Sequence, residues 1–322
     1  MKTFSSPFFW LVLVVVGGVS LLPIVTNSPS LREDLFLMLM LVTLASSVNI
    51  IMGYTGYVSF GHIVYFGLGG YAAFYLMQNF SVHVLTAALI GGVVASLIAF
   101  LIGIPVLRLR GAYFALATIG INEAFRVLVN NLPFLGGSVG MLFSFSAYEP
   151  YGGGKSAQQF AYFAMVITAL LTIATSFIIK KSKFGLGLMA IREDQDAAMV
   201  LGINPARTKV ITYAISAFFP ALAGAFFFFK NGTILPETAF ELHRSIESLV
   251  MVMLGGYGTV TGPIVGAVVY ERLRGFLITN PTLSQAHLVI AGALLLLIVL
   301  FVTAGVIGWL RQRFPAVRRY LE

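Results

Sequence analysis

Glu123 and Arg126 stand three residues apart inside an otherwise apolar stretch, so on a helix they share one face and can pair with each other. Charges inside a membrane span face the bundle interior or a wet path, so the pair reads either as a polar element or gate on a translocation route or as a structural ion pair that sets helix register. Counted from Ala112, Glu123 lies about 17 Å along such a helix and Arg126 about 4 to 5 Å further. Asn122 belongs to the same polar turn. His62 offers the same choice between a pathway role and a satisfied packing histidine. The four histidines, His62, His83, His243 and His287, form no HExxH-like pattern, and the chain has no cysteine, so neither a metal site nor a thiol nucleophile is expected. Gly152-Gly153-Gly154-Lys155-Ser156 looks like the end of a phosphate-binding loop, but Glu149 stands where that loop needs its first glycine and no buried strand precedes it. It reads as a flexible turn. No cofactor is implied, and nothing points to an enzyme.

The elements that must carry these residues are membrane helices. Only 10% of the 322 residues are charged, where a soluble domain carries about 25%, and 58% are hydrophobic. A soluble enzyme, a disordered chain and a secreted disulfide scaffold are excluded. Twenty Lys and Arg against twelve Asp and Glu leave a net charge of +8. The cations sit at the ends of apolar runs, as the positive-inside rule demands, so no nucleic acid is needed to explain them. A bilayer core requires about 20 apolar residues per helix. Clear spans are Phe8 to Val25, Leu35 to Met52, Val84 to Leu107, Phe160 to Ile179, Val210 to Phe229 and Leu288 to Val306; weaker ones are Val58 to Met77 and Ala112 to Val129. The first follows Lys2 but lacks a small-residue cleavage site, so it reads as a retained helix rather than a signal peptide. Arg108, Arg110, Lys180, Lys181, Lys183, Arg192, Arg207 and Lys209, with Arg311, Arg313, Arg318 and Arg319 near the end, mark the cytoplasmic side.

With a cytoplasmic N-terminus, seven alternating spans leave residue 230 outside. One further full crossing at Ser248 to Tyr270 would then deliver the four-arginine tail to the wrong side. Gly255-Gly256-Tyr257-Gly258-Thr259-Val260-Thr261-Gly262-Pro263 splits that segment into Leu249 to Leu254 and Ile264 to Tyr270, each too short to cross. A re-entrant or broken-helix segment near 248–270 restores the tail to the cytoplasm. The alternative is a glycine-lined packing face with one span misassigned elsewhere. The expected fold is therefore all-α: a polytopic helical bundle of about eight full spans plus this broken segment, forming one transmembrane domain over 1–322. A second interruption, Gly53-Tyr54-Thr55-Gly56-Tyr57-Val58-Ser59-Phe60-Gly61-His62, opens the third span, and paired interruptions point to a transport site. The candidate path or gate is Gly53, Tyr54, Thr55, Gly56, Ser59, His62, Asn122, Glu123, Arg126, Gly255, Gly256, Gly258 and Thr259.

Within the cytoplasmic loop 180–209, Leu188 to Leu201 suits a short amphipathic helix stopped by Gly202. Arg192 is outnumbered by Glu193, Asp194 and Asp196, which disfavours an anionic membrane surface and favours a protein partner.

Asp196-Ala197-Ala198-x3-Gly202 resembles the loop by which bacterial ATP-binding-cassette importer permeases dock onto their ATPase, with Asp in place of the usual Glu. It occurs together with Gly53-Tyr54-Thr55-Gly56-x2-Ser59-x-Gly61-His62, Arg110-Gly111-x-Tyr113-Phe114-Ala115, Glu123-x2-Arg126 followed by Gly136-Gly137-x2-Gly140, Ala190-Ile191-Arg192-Glu193-Asp194 and Gly255-Gly256-x-Gly258-Thr259-x2-Gly262-Pro263-x2-Gly266-Ala267. Over about residues 35 to 310 the set is similar to the branched-chain amino acid permease family of these importers. Charge placement puts both termini in the cytoplasm; the resemblance implies an inner-membrane subunit working beside a second related permease, two cytoplasmic ATPases and an extracytoplasmic binding protein. It implies ATPase coupling through Arg192, Glu193, Asp194, Asp196, Ala197, Ala198 and Gly202, and no chemistry on the substrate. Leu135, where many relatives have Thr, and the end of the last span at Val302-Thr303-Ala304-Gly305 depart from the family pattern. Hydrophobic amino acids are the expected cargo, with urea, short amides or simple sugars as alternatives in the same class. The rival class is an ion-coupled transporter using Glu123 and His62.

Overall fold

The computed structural model describes residues 7–143, 145–279 and 305–308. Its helices run in the order α1 (Pro7–Val25), α2 (Pro29–Thr55), α3 (Ile63–Phe80), α4 (Val84–Val106), α5 (Ala112–Asn130), α6 (Gly154–Lys181), α7 (Lys183–Glu193), α8 (Gln195–Val200), α9 (Pro205–Asn231), α10 (Pro236–Ala239), α11 (Leu242–Gly255) and α12 (Gly262–Thr279). Two-residue strands β1 (Met141–Leu142) and β2 (Thr233–Ile234) pair antiparallel, Met141 opposite Ile234. Among the described residues, α2, α4, α5, α6 and α9 are long and apolar enough to cross a membrane. The expected last span, Leu288 to Val306, falls outside the described residues apart from its end.

Local chemistry sets the helix ends. Ser28 accepts the Leu31 N–H ahead of Pro29 at the start of α2, and Gly56, at φ 77°, closes it in the left-handed conformation. Asn204 and Pro205 start α9 in the same manner, and Gly232 ends it. The third span departs from expectation. Helix begins at Ile63 rather than Val58, because residues 56–62 leave the helical path after Gly56 and find partners elsewhere. The Phe60 N–H donates to Thr118 Oγ1 at 3.1 Å and the Ile63 N–H to Ser245 Oγ at 3.1 Å. The coupling segment also differs: one expected helix is two, α7 and α8. The break is at Asp194, whose extended backbone lets its carboxylate accept the N–H groups of Asp196 at 2.8 Å and Ala197 at 3.0 Å.

Helices α2 and α9 form the centre, with 89% and 78% of their most apolar stretches buried, whereas α5 lies at the periphery with 22%. Backbones approach closely where side chains are absent. A Cβ on Gly69 would meet the Ala221 backbone and one on Gly224 the Phe66 backbone, so α3 and α9 pack at a distance that only small residues allow.

The broken segment is an antiparallel hairpin. Gly255 faces Gly262, Met251 faces Gly266 and Glu247 faces Tyr270, each pair one turn further from the tip. Both arms exceed the short pieces expected from the sequence: α11 has 14 residues and α12 has 18, or about 21 and 27 Å at helical rise. Each arm extends through polar turns containing Arg244, Glu247, Glu271 and Arg274, which a purely apolar count stops short of.

Because a Cβ on Gly266 would run into the Met251 carbonyl oxygen and stand 2.9 Å from Gly255 N, Gly266→Leu is expected to destabilise the purified protein by about 1–3 kcal/mol or more. Gly120→Leu, with no neighbour within 4 Å of its added Cβ, should leave the thermal unfolding midpoint nearly unchanged. Equal midpoints for the two variants would show that the hairpin is loosely packed.

Candidate translocation and coupling site

The two glycine interruptions meet. The tip of the α11–α12 hairpin, residues 256–261, lies against the last turns of α2, and the contact is built from the Asn49 side-chain amide. Asn49 Oδ1 accepts the Gly258 N–H at 2.9 Å, and Asn49 Nδ2 donates to the Thr259 carbonyl at 2.8 Å. Thr259 Oγ1 closes the tip on itself, donating to Gly256 O at 2.8 Å and accepting the Gly262 N–H at 2.9 Å. Gly256 (φ 119°) and Gly258 (φ 73°) occupy backbone space disfavoured for other residues. A Cβ on Gly53 would stand 2.7 Å from Gly258 N, so the approach requires glycine on both sides.

Arg192, at the end of α7, ties the coupling segment to this junction. Its Nη1 donates to Gly53 O at 2.9 Å, and its guanidinium lies 5.8 Å from the Tyr257 ring centre. It also pairs with Glu193 at 3.0 Å. Downstream, the N–H groups of Ala197 and Asp196 hold the Asp194 carboxylate below its usual pKa. Asp196 is exposed and pairs with Arg110 at 3.2 Å. Ala198 is buried and anchors α8, Ala197 is exposed, and Gly202 turns the chain at φ 83°. Met199, Val200 and Leu201 are exposed, the last two by 88% and 78%. Between α7, α5 and the 55–60 turn lies a cavity of about 400 Å³, bordered by Gly56, Tyr57, Arg110, Arg192 and Gln195.

The remaining predicted residues separate into different surroundings. Tyr54 is buried, its hydroxyl 2.8 Å from Ser176 Oγ, and so bolts α2 to α6. Thr55 donates to Ile51 O within its own helix at 2.6 Å, and Ser59 is buried. His62 is enclosed edge-on by Tyr65 and Tyr213, with Nε2 3.3 Å from Ser216 O. Asn122 is buried and donates to Phe240 O at 2.9 Å, holding the chain just before α11. Glu123 and Arg126 pair with each other at 3.0 Å on the open face of α5, their side chains 54% and 36% exposed.

A family model described as the permease component of a branched-chain amino acid transport system matches residues 32–309. The chain belongs to this permease family. The permease is 28% identical to the high-affinity branched-chain amino acid transport system permease protein LivM of Escherichia coli K12, over 84% of this chain and 68% of that protein. It is 29% identical to the LivH permease protein of Salmonella typhimurium over 44% of this chain and 46% of that one. It is also 29% identical to the xylose transport system permease protein XylH of Haemophilus influenzae, over 42% and 37%. No solved structure matches the permease. Its apolar helices and these relatives make it a multi-pass membrane protein.

Sequence reasoning passed over several residues on which this arrangement depends. Asn49 carried one signal, a lone amide deep in an apolar span. In the sequence Lys209 counts only as a cytoplasmic marker, yet it is 2% exposed and donates to Tyr57 OH at 2.6 Å, Leu107 O at 2.8 Å and Gln195 Oε1 at 3.1 Å. It clamps the foot of α9 to the turn after α2 and to α8. Glu247 is hidden by its place just before the segment that starts at Ser248.

Gly258→Leu would place a Cβ 2.8 Å from Arg192 Nη1 and 3.0 Å from Gly53 O in a left-handed conformation. Transport is expected to fall at least about tenfold, with membrane insertion retained, since the left-handed strain alone costs about 1–2 kcal/mol. Uptake at the wild-type rate would show that the tip rearranges freely.

Proposed function

We propose that the chain is one of two membrane-spanning permease subunits of an ATP-driven importer for branched-chain or other hydrophobic amino acids. It works as a single transmembrane domain, 1–322, with both termini and the 180–209 segment in the cytoplasm. The observation that carries this reading is the mechanical continuity from α8 to the hairpin tip. An exposed apolar and acidic knob, Asp196 with Met199, Val200 and Leu201, joins through α7 to Arg192, and Arg192 grips Gly53 beside the tip. Exposed apolar groups of this kind mark a protein docking surface. An ATPase that moves the knob therefore moves the membrane-embedded junction. Hydrolysis occurs on separate ATPase subunits, an extracytoplasmic binding protein delivers the substrate, and this chain does no chemistry on it.

The open face of α5 supports the second permease subunit. A charged pair at the depth of Glu123 and Arg126 needs protein or water beside it rather than lipid. The pair stays exposed here, so the partner subunit, or a water-filled path between the two, covers it. The existence of LivM and LivH as separate permease proteins agrees with such a pair. Ion coupling through Glu123 and His62 gains no comparable support, because the two engage different partners on different elements.

The deciding experiment is uptake of labelled leucine into vesicles containing this chain with its genomic neighbours, leaving out one component at a time. Uptake should require ATP and the ATPase and be competed by unlabelled valine. Competition by ribose or urea instead would move the substrate class, and ion-driven uptake by this chain alone would overturn the importer. Asp196→Arg, which replaces an attraction to Arg110 by repulsion and reverses the charge of the knob, should abolish copurification with the ATPase while the permease remains inserted. Unchanged copurification would place the docking surface elsewhere.

A further inference from the structure

The feet of α4 and α9 enclose a cavity of about 330 Å³ whose two walls differ in character. On one side stand Phe100 and Ile104, a turn apart on α4 and 39% and 43% exposed, on a helix whose most apolar stretch is only 39% buried. On the other, Arg108, Arg110, Arg207 and Lys209 converge, and no carboxylate lines the cavity. The positive-inside rule accounts for cations at helix ends but not for their convergence on one hollow. Cations of one sign around a concave site raise its potential toward anions.

The four cations are not equivalent. Lys209 is 2% exposed and its ammonium is spent on Tyr57, Leu107 and Gln195, so it lends the cavity charge but no free donor. Arg110 is exposed and pairs with Asp196 at 3.2 Å. Arg108 and Arg207 are exposed, and among the described residues their side chains have neither a hydrogen bond nor an ion pair. Two accessible guanidinium forks therefore stand open, each shaped to take two oxygens of a phosphate.

The bilayer supplies such a group. Arg108 follows the end of α4 and Arg207 lies in the first turn of α9, the level at which membrane-crossing helices meet lipid headgroups. Phe100 lies about 12 Å along α4 from Arg108, toward the hydrocarbon core. A molecule with a phosphate at one end and an acyl chain at the other matches both walls, whereas a free phosphate matches only one. We infer that this cavity binds the headgroup of an anionic phospholipid, with its phosphate on Arg108 and Arg207 and one acyl chain along Phe100 and Ile104. Net charge selects the lipid class. Even with Asp196 set against Arg110, cations outnumber acids here, which disfavours the ammonium of a zwitterionic headgroup. Arg110 and Gln195 border both this cavity and the one beside Arg192, so the headgroup sits against the start of α8. The inference requires only that α4 and α9 cross the bilayer and is independent of the importer reading.

The test places p-benzoylphenylalanine at Phe100 of the full chain, assembled with its genomic neighbours and reconstituted in phosphatidylcholine vesicles that hold a minor fraction of phosphatidylglycerol. After irradiation, whatever is attached to the chain is identified by mass. Phosphatidylglycerol should be enriched about tenfold or more over its share of the vesicle, since each of two cations at the headgroup favours it by about fivefold. Arg108→Gln combined with Arg207→Gln should bring the enrichment close to none, with copurification of the partner subunits unchanged. Lys181→Gln combined with Lys183→Gln, at the foot of α6, should leave it as it was, and so should excess inorganic phosphate at constant ionic strength. The proposal is overturned if the probe attaches to protein rather than lipid, if phosphatidylglycerol is not enriched, or if the arginine variant keeps full enrichment. It is equally overturned if the lysine variant removes the enrichment as completely, which would make the effect one of overall potential, or if inorganic phosphate displaces the lipid, which would mark a free-anion site.

Discussion

Backbone at membrane depth has no water to satisfy it, and the tip of the α11–α12 hairpin is non-helical backbone inside a helical bundle. Much of this structure answers that constraint. The Asn49 amide supplies one acceptor and one donor to the tip, Thr259 supplies another of each, and glycines on both sides allow the chains to come close enough for those bonds to form. The 49–53 turn of α2 is in this sense the seat on which the broken segment rests. Gly305, near the end of the chain, also packs against Gly256.

The same seat also receives the α7–α8 segment. Arg192 does not reach into the bundle as a free charge. It donates to the carbonyl of Gly53, one turn from Asn49, and lies beside the hairpin's Tyr257. The α7–α8 unit and the hairpin tip therefore share a short stretch of α2. Lys209 adds a second tie from the same side, joining α9, the turn after α2 and Gln195 at the start of α8. Rigid ties of this kind make a small displacement of α8 a displacement of the junction.

Away from the tip the chain handles polarity in two other ways. On α5, Glu123 and Arg126 neutralise each other on an exposed face. Between α2, α9 and the hairpin arms, charges gather around a small cavity and are incompletely matched. A charged pair at this depth calls for protein or water beside it rather than lipid.

Hydrophobic run lengths were enough to read a polytopic helical bundle. Charge placement together with the glycine run at 255–262 was enough to read a broken segment rather than a further crossing, and α11 and α12 form that segment. These features are local: a span needs length, and a break needs glycine and proline. The arms' true lengths were not legible, because packing between them carries helix through Glu247, Glu271 and Arg274. The start of α3 and the split at Asp194 were likewise decided by hydrogen bonds that the apolar pattern does not encode. The grouping of the candidate residues was not visible in the sequence. Gly53, Gly258 and Arg192 converge, while Tyr54, His62 and Glu123 point into three different environments. What the sequence by itself determined is the class of molecule and where its backbone must break. Only the tertiary structure decided that Asn49, 210 residues before Thr259, holds that break in place, because a hydrogen-bond partner so far along the chain is chosen by packing and leaves no periodic trace.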